Sequence, residues 1–353
     1  MKKFIDLDDM ANHNCSNVLN IIQKNGTVSR RQITELSGLS WGGMTKIVNK
    51  LLENEYIVEA KKESTTSSGR IPSVLSVNTD KNFVIGLDIN KTGLHAVVTD
   101  LTGKIIETFQ GNVSLGNKES FIKQITEFTE SIFNQFKSIP IISIGVAMQG
   151  IVDHKNGISV KFPDIADWEN VQLKKILEER FNVPVFLEHD PDCLLYAHMD
   201  SQSRENIVLL RIDKSIGMAV SIGGKIIKGN GILEIAHNTV IPGGKKCRCG
   251  SSGCFEAYVY PCLENNKINT NALDELIVPL AVMIKNLAGI FNASKVILTG
   301  ALMEHKELFE KKLISETSRF GKDISWEIST ASDMVVTGAA GIAVKKSINS
   351  III

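Results

Sequence analysis

The chain has 353 residues, too many for one ordinary hydrophobic core, so two or three domains are expected. Its 39 basic and 39 acidic residues cancel to a formal net charge of +0, so any basic surface for a polyanion must be local. A hydrophobic content of 43% is ordinary for a globular protein. The sequence shows no membrane-spanning apolar run and no signal peptide, which argues against a membrane protein and predicts a cytoplasmic one.

The region 15–75 has the spacing of a winged helix-turn-helix. In its first and third predicted helices, apolar residues recur on one face, as expected for helices that pack on a core. These residues are Val18, Leu19 and Ile22, then Met44, Ile47, Val48, Leu51 and Leu52. The second helix begins with a capping-box pattern, Ser29 followed by Gln32, and has Ile33 and Leu36 as its apolar face.

The opposite face of the third helix carries groups that reach phosphates or base edges when a helix enters the major groove. We expect the DNA contacts to come from this face, from the start of the second helix and from the end of the wing. The residues are Arg30, Arg31, Ser40, Trp41, Thr45, Lys46, Asn49, Lys50 and Arg70. Residues 11–75 hold eight basic groups against five Glu, so the basic excess is local and modest.

Two short apolar segments, 56–60 and 73–77, flank a polar stretch from Lys61 to Arg70, and this pattern predicts a wing. The alternative is a three-helix module that binds another protein, because helix-turn-helix geometry also occurs in proteins that do not bind DNA. Gly42 and Gly43, early in the third helix, each cost about 1 kcal/mol relative to Ala. They either allow close approach to a phosphate backbone or fray the first turn.

A linker within residues 61–82 separates this region from alternating strands and helices. Strands are predicted at 83–89, 95–100, 104–109, 141–146, 185–187, 207–212, 218–222 and 295–298, with hairpin turns at 100–103 and 222–225. Helices are predicted at 118–136, 171–181, 272–291 and 338–346. Repetition of this pattern in two halves predicts an α/β fold with a cleft between two lobes. The expected domains are 1–78 and 79–353.

Three cysteines within eight residues, Cys247, Cys249 and Cys254, lie in a glycine-rich loop and predict most of a tetrahedral zinc site. His237, ten residues upstream, is the best candidate for the fourth ligand, although the spacing does not force it. The alternative is three buried or redox-active thiols, while a reducing compartment disfavours disulfides. A closed site with four ligands would be structural. The other cysteines are predicted to be packing residues: Cys15, Cys193 and Cys262.

The segment from Glu234 to His237, followed by Cys247-x-Cys249-Gly250-x-x-Gly253-Cys254-x-Glu256, resembles the signature of the ROK family of repressors and sugar kinases. With its winged helix, the chain is similar to repressors of the xylose and N-acetylglucosamine type. The resemblance covers nearly the whole chain. It implies an N-terminal winged helix-turn-helix followed by a two-lobed actin-like ATPase (ribonuclease H-like) fold with a zinc loop, and a dimeric assembly.

The same resemblance assigns two sets of residues. The ligands of Zn²⁺ would be His237, Cys247, Cys249 and Cys254. The sugar pocket would contain Glu234, His237 and Glu256, with the loop Glu188-His189-Asp190 beside them and with Asp164 and Trp168 as looser matches. Carboxylates suit this role independently, since each accepts two hydrogen bonds from hydroxyls. Asp190 lies at the position of the general base in kinase members; considered alone, it is an ordinary helix N-cap before Pro191.

Kinase members of the family have glycines where a backbone approaches phosphate, and this chain departs from that pattern. The corresponding segments are Asp88-Ile89-Asn90-Lys91-Thr92, Asp213-Lys214-Ser215 and Gly300-Ala301. Asp213 would place a carboxylate beside a polyphosphate, which is repulsive. Lys91 or Lys214 could still bind phosphate as point charges. We therefore predict no catalytic residues and no kinase activity. Ala236, in place of the usual glycine, also departs from the pocket pattern.

These observations predict a sugar-responsive transcriptional regulator, a repressor of a carbohydrate-use operon such as one for xylose. It would bind double-stranded operator DNA as a homodimer or dimer of dimers and be released by a sugar or sugar phosphate, with a coupling of about 1–3 kcal/mol. One rival is an active ATP-dependent sugar kinase with a regulatory arm. The other is a winged helix that docks a protein partner. The sequence leaves open which sugar binds, the operator sequence, and whether the sugar represses or activates.

Overall fold

The computed structural model describes residues 7–60, 73–200, 204–213, 215–228, 235–266, 269–320, 324–330 and 334–350. The chain forms two compact units. The first contains residues up to 150, 154–188 and those from 339 onward, and the second contains 151–153 and 189–338. Within the described ranges, no helix has the length and apolar character needed to cross a membrane. Three residues discussed above lie outside the described residues: Arg70, Lys214 and Glu234.

The first unit opens with a winged helix. Its elements are α1 (Leu7–Asn25), β1 (Val28–Ser29), α2 (Arg30–Ser37), α3 (Trp41–Glu53), β2 (Ile57–Ala60) and β3 (Val74–Val77). The predicted capping box is confirmed, because Ser29 Oγ accepts from Gln32 N at 3.3 Å and Gln32 Oε1 accepts from Ser29 N at 2.9 Å. Strands β2 and β3 pair antiparallel, as predicted for a wing, and β1 joins them on the other side of β3.

The predicted apolar face of α3 is confirmed at four positions, Met44, Ile47, Val48 and Leu51, which are buried. The prediction for α2 is wrong in one residue, because Leu36 is 59% exposed while Ile33 is buried. Residues three apart differ by about 60° around a helix, and α2 has only eight residues, so its packed face is narrow.

The rest of the first unit is built on a five-stranded sheet. The elements are β4 (Phe83–Asn90), β5 (Gly93–Thr99), β6 (Ile105–Gly111), α4 (Lys118–Gln135), β7 (Ile141–Met148), β8 (Ile151–Asp153, of the second unit), β9 (Ile158–Lys161), β10 (Glu169–Val171), α5 (Leu173–Phe181) and β11 (Val185–His189). The strand order is β11-β7-β4-β5-β6, in which β4, β5 and β6 are antiparallel neighbours and β7 is parallel to β4. The turn from Asp100 to Gly103 joins β5 and β6 as predicted, with a 3.1 Å hydrogen bond from Gly103 N to Asp100 O.

The second unit repeats this arrangement. Its elements are α6 (Asp190–His198), β12 (Ile207–Ile212), β13 (Ile216–Ile222), β14 (Lys225–Ile226), α7 (Glu256–Val259), a 3₁₀ segment (Tyr260–Asn266), α8 (Thr270–Ile290), β15 (Lys295–Thr299), a second 3₁₀ segment (Ala301–Leu308), α9 (Glu310–Ser318), β16 (Trp326–Ile328) and α10 (Met334–Asn349). The strand order is β14-β13-β12-β15-β16, which matches the first sheet read from β6 to β11. Strands β12, β13 and β14 are antiparallel neighbours, and β15 and β16 run parallel to β12. A duplicated sheet of this kind confirms the predicted two-lobed fold.

The winged helix and the first sheet share one hydrophobic core. Val18, Leu19 and Ile22 of α1 are fully buried in a cluster that also contains Leu101, after β5, and Ile348 of α10. Two of the cysteines predicted to be packing residues, Cys15 here and Cys262 in the core of the second unit, are buried in these clusters. Cys193 of α6 is buried as well.

Candidate functional site

The exposed face of α3 carries the side chains expected to contact DNA. Trp41 is 58% exposed, and Lys46 and Asn49 are also exposed. Two hydroxyls are engaged within the helix: Ser40 Oγ accepts from a first-turn backbone N–H at 3.2 Å, and Thr45 Oγ1 donates to Trp41 O at 2.8 Å. The helix therefore presents an indole, an amine and an amide to solvent, a set that can contact bases and phosphates.

The two arginines of α2 differ from each other in their surroundings. Arg30 Nη1 lies 3.0 Å from Glu59 Oε1 of β2, and its side chain is 25% exposed, so it ties α2 to the wing. Arg31 is exposed and bonds Glu35 of the same helix at 2.9 Å. Lys50 is half-buried. Glutamates partly neutralise both arginines of α2. The basic residues of α3 therefore contribute more to binding a polyanion than the net charge of the module suggests.

A hairpin in the second unit brings His237 to the cysteines. The segment 236–241 runs antiparallel to 253–256, with Thr239 and Cys254 forming a β-bridge. Backbone hydrogen bonds of 2.8–3.2 Å join the two segments on either side of the bridge. His237 precedes the first cysteine by ten residues in the sequence, but the hairpin places the two side chains next to each other in space.

The four residues predicted as metal ligands lie together. Their ligand atoms, from His237, Cys247, Cys249 and Cys254, are all within 4.8 Å of one another. Cys247 Sγ is 3.6 Å from His237 Nδ1, and Cys249 Sγ is 3.7 Å from Cys254 Sγ. A tetrahedral ion bound at about 2.3 Å places neighbouring sulfurs about 3.8 Å apart, so these distances suit a four-coordinate metal. Burial raises the pKa of the Cys247 thiol to about 11, whereas a backbone hydrogen bond from Ser251 lowers the pKa of Cys249.

The Glu256 carboxylate lies beside the metal ligands. It is paired with Arg248, which lies between Cys247 and Cys249 in the sequence. Arg248 Nε donates to Glu256 Oε2 at 3.0 Å, and Arg248 Nη2 bonds Glu256 Oε1. The same Oε2 lies 3.6 Å from both His237 Nδ1 and Cys247 Sγ, and the Glu256 side chain is 7% exposed. The arginine also lies over the Tyr260 ring, 5.9 Å from its centroid. The orientation of Glu256 therefore depends on the folded metal loop.

A second group of charged side chains surrounds Asp190, the first residue of α6. The N-cap is His189, so the N-cap interpretation of Asp190 is wrong by one residue. Arg211 Nη1 donates to Asp190 Oδ2 at 2.8 Å, and Arg211 Nε donates to Asp213 Oδ2 at 2.6 Å. Asp213 Oδ1 accepts from Ala301 N at 2.6 Å. His189 Nε2 lies 3.5 Å from Asp190 Oδ1, and burial lowers the pKa of its imidazole, which favours the neutral form.

The Asp192 carboxyl group, in the first turn of α6, predicts that the stability of the protein depends on pH. Burial, and secondarily the charge of Asp190, raise its pKa to about 7. Because its pKa rises on folding, the unfolding free energy falls as pH increases from about 4 to about 7 and stays reduced above that range. We expect Asp192→Asn to stabilise the protein at pH 8 by about 2 kcal/mol and far less at pH 4.5. Melting temperatures of both proteins at the two pH values test this; an equal difference at both would contradict it.

The remaining predicted sugar residue, Asp164, lies in the first unit. It has a left-handed backbone with φ of 64°, and its Oδ2 lies 3.6 Å from Lys91 Nζ. Trp168 is 1% exposed, donates from Nε1 to Ser159 Oγ at 2.9 Å and packs edge-on against Phe121. Trp168 is therefore a core residue, and its assignment to a sugar-contacting loop stays a prediction.

Sequence reasoning missed two arginines. Arg211 is the single charged residue of the buried strand β12, a position that calls for a carboxylate partner. That signal could have paired it with an aspartate. Arg248 lies between two predicted metal ligands, and nothing in the sequence links it to Glu256. In the second unit, the structure thus groups predicted residues around Glu256 and around Asp190. Asp164 belongs to the first unit.

Comparisons with known proteins agree with this architecture. The family model described as ROK family matches residues 84–260, and a model described as winged helix-turn-helix DNA-binding matches residues 16–58. The xylose repressor of Bacillus subtilis is 26% identical over 330 residues, which cover 85% of each chain.

Solved structures share the fold. A ROK family transcriptional regulator described as a homologue of the E. coli Mlc protein superposes with a TM-score of 0.81 at 19% identity, covering 96% of this chain and 97% of that one. The ROK hexokinase of Thermus thermophilus has a TM-score of 0.62 at 24% identity and covers 74% of this chain and 97% of its own. Repressors and kinases therefore share this framework. With half of its length matched by the family model, the chain belongs to the ROK family.

Proposed function

We propose that the protein is a sugar-responsive transcriptional repressor that binds operator DNA through its winged helix. The observation that carries this proposal is the exposed face of α3, on a winged helix whose core is continuous with the first lobe of a ROK domain. A DNA-binding element packed in this way can respond to what the domain binds. The relatives named above include a xylose repressor, and this supports the same class of function.

The effector would be a sugar or sugar phosphate bound by polar groups of the ROK domain. Glu256 and Asp190 each keep carboxylate oxygens near a second polar group, His237 and His189 respectively. Such pairs bind vicinal hydroxyls well, since the carboxylate accepts and an imidazole N–H donates. Glu234, outside the described residues, and Asp164, in the first unit, stay predictions from the sequence.

Zn²⁺ is the metal we propose for the loop. Three thiolates and one imidazole form a ligand set that zinc prefers, and all four positions are taken by the protein. A bound zinc would supply structural cross-linking rather than catalysis. His237, Cys247, Cys249 and Cys254 would hold it and thereby fix the hairpin that carries Glu256.

The Asp190 group argues against phosphoryl transfer. The Asp213 carboxylate takes the Ala301 N–H and the Arg211 Nε, two donors that a phosphate oxygen would need. In the first unit, Lys91 is near Asp164. We therefore propose no kinase activity; ADP release above background with ATP and any sugar tested would contradict this.

The rival in which the winged helix docks a protein partner has one observation in its favour. Leu36 and Trp41 are 59% and 58% exposed, so two large apolar side chains of the module are accessible to a protein partner. The two interpretations differ in their dependence on salt. Affinity for duplex DNA falls steeply as the salt concentration rises, because binding releases counterions from the phosphates and this release is less favourable in concentrated salt. Apolar docking of a protein has no such dependence.

Operator binding with release by sugar is the test of the proposed function. Duplex DNA from upstream of the gene is titrated by fluorescence anisotropy, with D-xylose, D-glucose, N-acetylglucosamine and glucose 6-phosphate as effectors. We expect tight, salt-sensitive binding that one of these compounds weakens by about 5–150-fold. A dimer would place two α3 helices about 34 Å apart on a palindrome, which remains a prediction to be checked by sedimentation. Absence of binding with every compound would contradict the proposal.

Lys46→Ala should weaken operator binding while leaving sugar affinity unchanged, because this exposed amine lies on α3. We expect a loss of about one unit in the slope of log affinity against log salt. Lys24→Ala is the matched control, since it removes the same charge from the last turn of α1. Equal losses in both variants would show that only total charge matters and that α3 is not the contacting helix.

A further inference from the structure

The chain leaves the first compact unit after Glu188 and re-enters it at Ala339. Glu188 is followed directly by His189 and Asp190, two residues of the proposed effector site. Ala339 lies in α10, a helix that begins in the second unit and ends in the first. A change at the effector site therefore has covalent routes into the first unit through strand β11 and through helix α10.

An ion pair joins these two routes inside the first unit; its carboxylate is buried, whereas the Lys346 side chain is 39% exposed. Lys346 Nζ of α10 lies 2.5 Å from Glu188 Oε1 of β11, and Glu188 is 1% exposed. The same ammonium lies 5.1 Å from the centroid of the Phe186 ring. One residue further along, Ser347 Oγ donates to Ser143 Oγ of β7 at 2.7 Å. Desolvation offsets much of the attraction in such a pair, so its main effect is to select one position of α10 on the sheet.

At Gly145, helix α10 also packs directly against the backbone of β7. A Cβ added to Gly145 would lie 2.1 Å from the carbonyl oxygen of Ala339, so the two backbones are in direct contact. A helix packed this closely moves with the sheet or must slide past it, because there is no soft layer to absorb a displacement.

The last turn of α10 forms part of the surface on which the winged helix rests. Ile348 is fully buried in the core that contains Val18 and Leu19 of α1. Asn20 Nδ2 of α1 donates to Asn349 Oδ1 at 3.0 Å. Helix α1 in turn packs against α3, the helix proposed to read DNA. The residues of α10 that contact the DNA-binding module, Ile348 and Asn349, therefore follow Lys346 by only two and three positions in the sequence.

We propose that Lys346 is a positioning residue for allosteric release: its pair with Glu188 ties the last turns of α10, and through them α1, to strand β11, which ends at His189, directly before Asp190. This inference rests on the function proposed above and adds the route by which the effector acts. Contiguity alone does not demonstrate coupling, so the test must measure coupling itself.

The experiment compares the full-length protein with Lys346→Met and with the double variant Glu188→Gln/Lys346→Met. Methionine keeps a long apolar stem beside Phe186 and removes the charge, and the double variant avoids leaving a buried carboxylate without its partner. Operator affinity is measured by anisotropy with and without the compound of the panel that releases the wild type. Affinity for that compound is measured separately by calorimetry without DNA, and melting temperature reports folding.

In the double variant we expect the ratio of operator affinities without and with sugar to fall at least five-fold. Operator affinity without sugar, and sugar affinity without DNA, should change by less than about two-fold, since neither surface is altered. Lys346→Arg should restore the ratio because it restores the charge. Lys345→Met, at the neighbouring exposed lysine, is the matched control and should keep the wild-type ratio.

A folded double variant that retains the full wild-type ratio overturns the inference and leaves the proposed function intact. Loss of sugar affinity in the double variant also overturns it, because the pair would then act at the effector site itself. If the single variant fails to fold, the double variant decides. A wild-type protein that does not bind the operator, or that none of the compounds releases, overturns the proposed function and this inference together.

Discussion

Cys249→Ser is expected to empty the metal loop and to destabilise the second unit. Cys249 is exposed, so replacing its sulfur by oxygen creates no cavity and should cost almost nothing in a protein without a metal. With zinc bound, the change removes one of four ligands, and a hydroxyl is a far weaker ligand than a thiolate. A metal present at about a hundred times its dissociation constant contributes about 2.7 kcal/mol to the unfolding free energy, so a loss of that order is expected.

The measurements are metal content by elemental analysis and melting temperature before and after chelation. Cys262→Ser is the control, because Cys262 is fully buried in the same unit and its Sγ contacts Tyr258 O rather than the metal loop. The control should keep its metal and lose stability through packing alone. Unchanged metal content in Cys249→Ser would refute the ligand assignment. We also expect this variant to lose its response to sugar, because Glu256 lies on the hairpin that the metal holds together.

Local patterns in the sequence predicted the winged helix well because its signals lie within one or two turns. The Ser29–Gln32 capping box depends on residues three apart, and the buried stripe of α3 depends on helical periodicity. Leu36 fails for a related reason: periodicity identifies a face, but it does not say how much of a short helix is covered by its neighbours. Most strands of the two five-stranded sheets were also predicted. Strands β8, β9, β10, β14 and β16 and helices α6, α7 and α9 were missed, because short elements carry few periodic positions.

The site was predicted unevenly. The metal ligands other than His237 come from one eight-residue segment. The spacing did not force His237, which the family resemblance assigned, and the hairpin explains how it reaches the cysteines. Arg211 and Arg248 were missed because each acts through a partner that is remote or unmarked in the sequence.

No local pattern could reveal that α10 joins the core of the winged helix. Residues 20 and 349 are almost the full chain apart, and their contact depends on how both sheets fold. For the same reason the boundary between residues 78 and 79 remains a prediction about domains, since the shared core crosses it.

Gly253→Ala should have the other large effect, since it acts on the fold of the metal loop rather than on a ligand. Gly253 has φ of 81°, and a Cβ there would lie 1.8 Å from the carbonyl oxygen of Ile241. Its N–H donates to Lys245 O at 2.7 Å and its own carbonyl accepts from Val240 N at 2.8 Å, so the residue cannot move without opening the hairpin. Left-handed strain of about 1–3 kcal/mol and a backbone clash of similar size add to about 4 kcal/mol.

Gly250 of the same loop supplies the matched comparison. Its φ of 92° is equally left-handed, but a Cβ there would meet no atom within 4 Å. Gly250→Ala should therefore cost only the backbone strain, about 1–3 kcal/mol, and keep the metal. Gly253→Ala should lose both metal and thermal stability, because opening the hairpin separates His237 from Cys254. If the two variants behave alike in metal content and melting temperature, the contact with Ile241 does not hold the loop, and the ligands must be positioned by the metal itself.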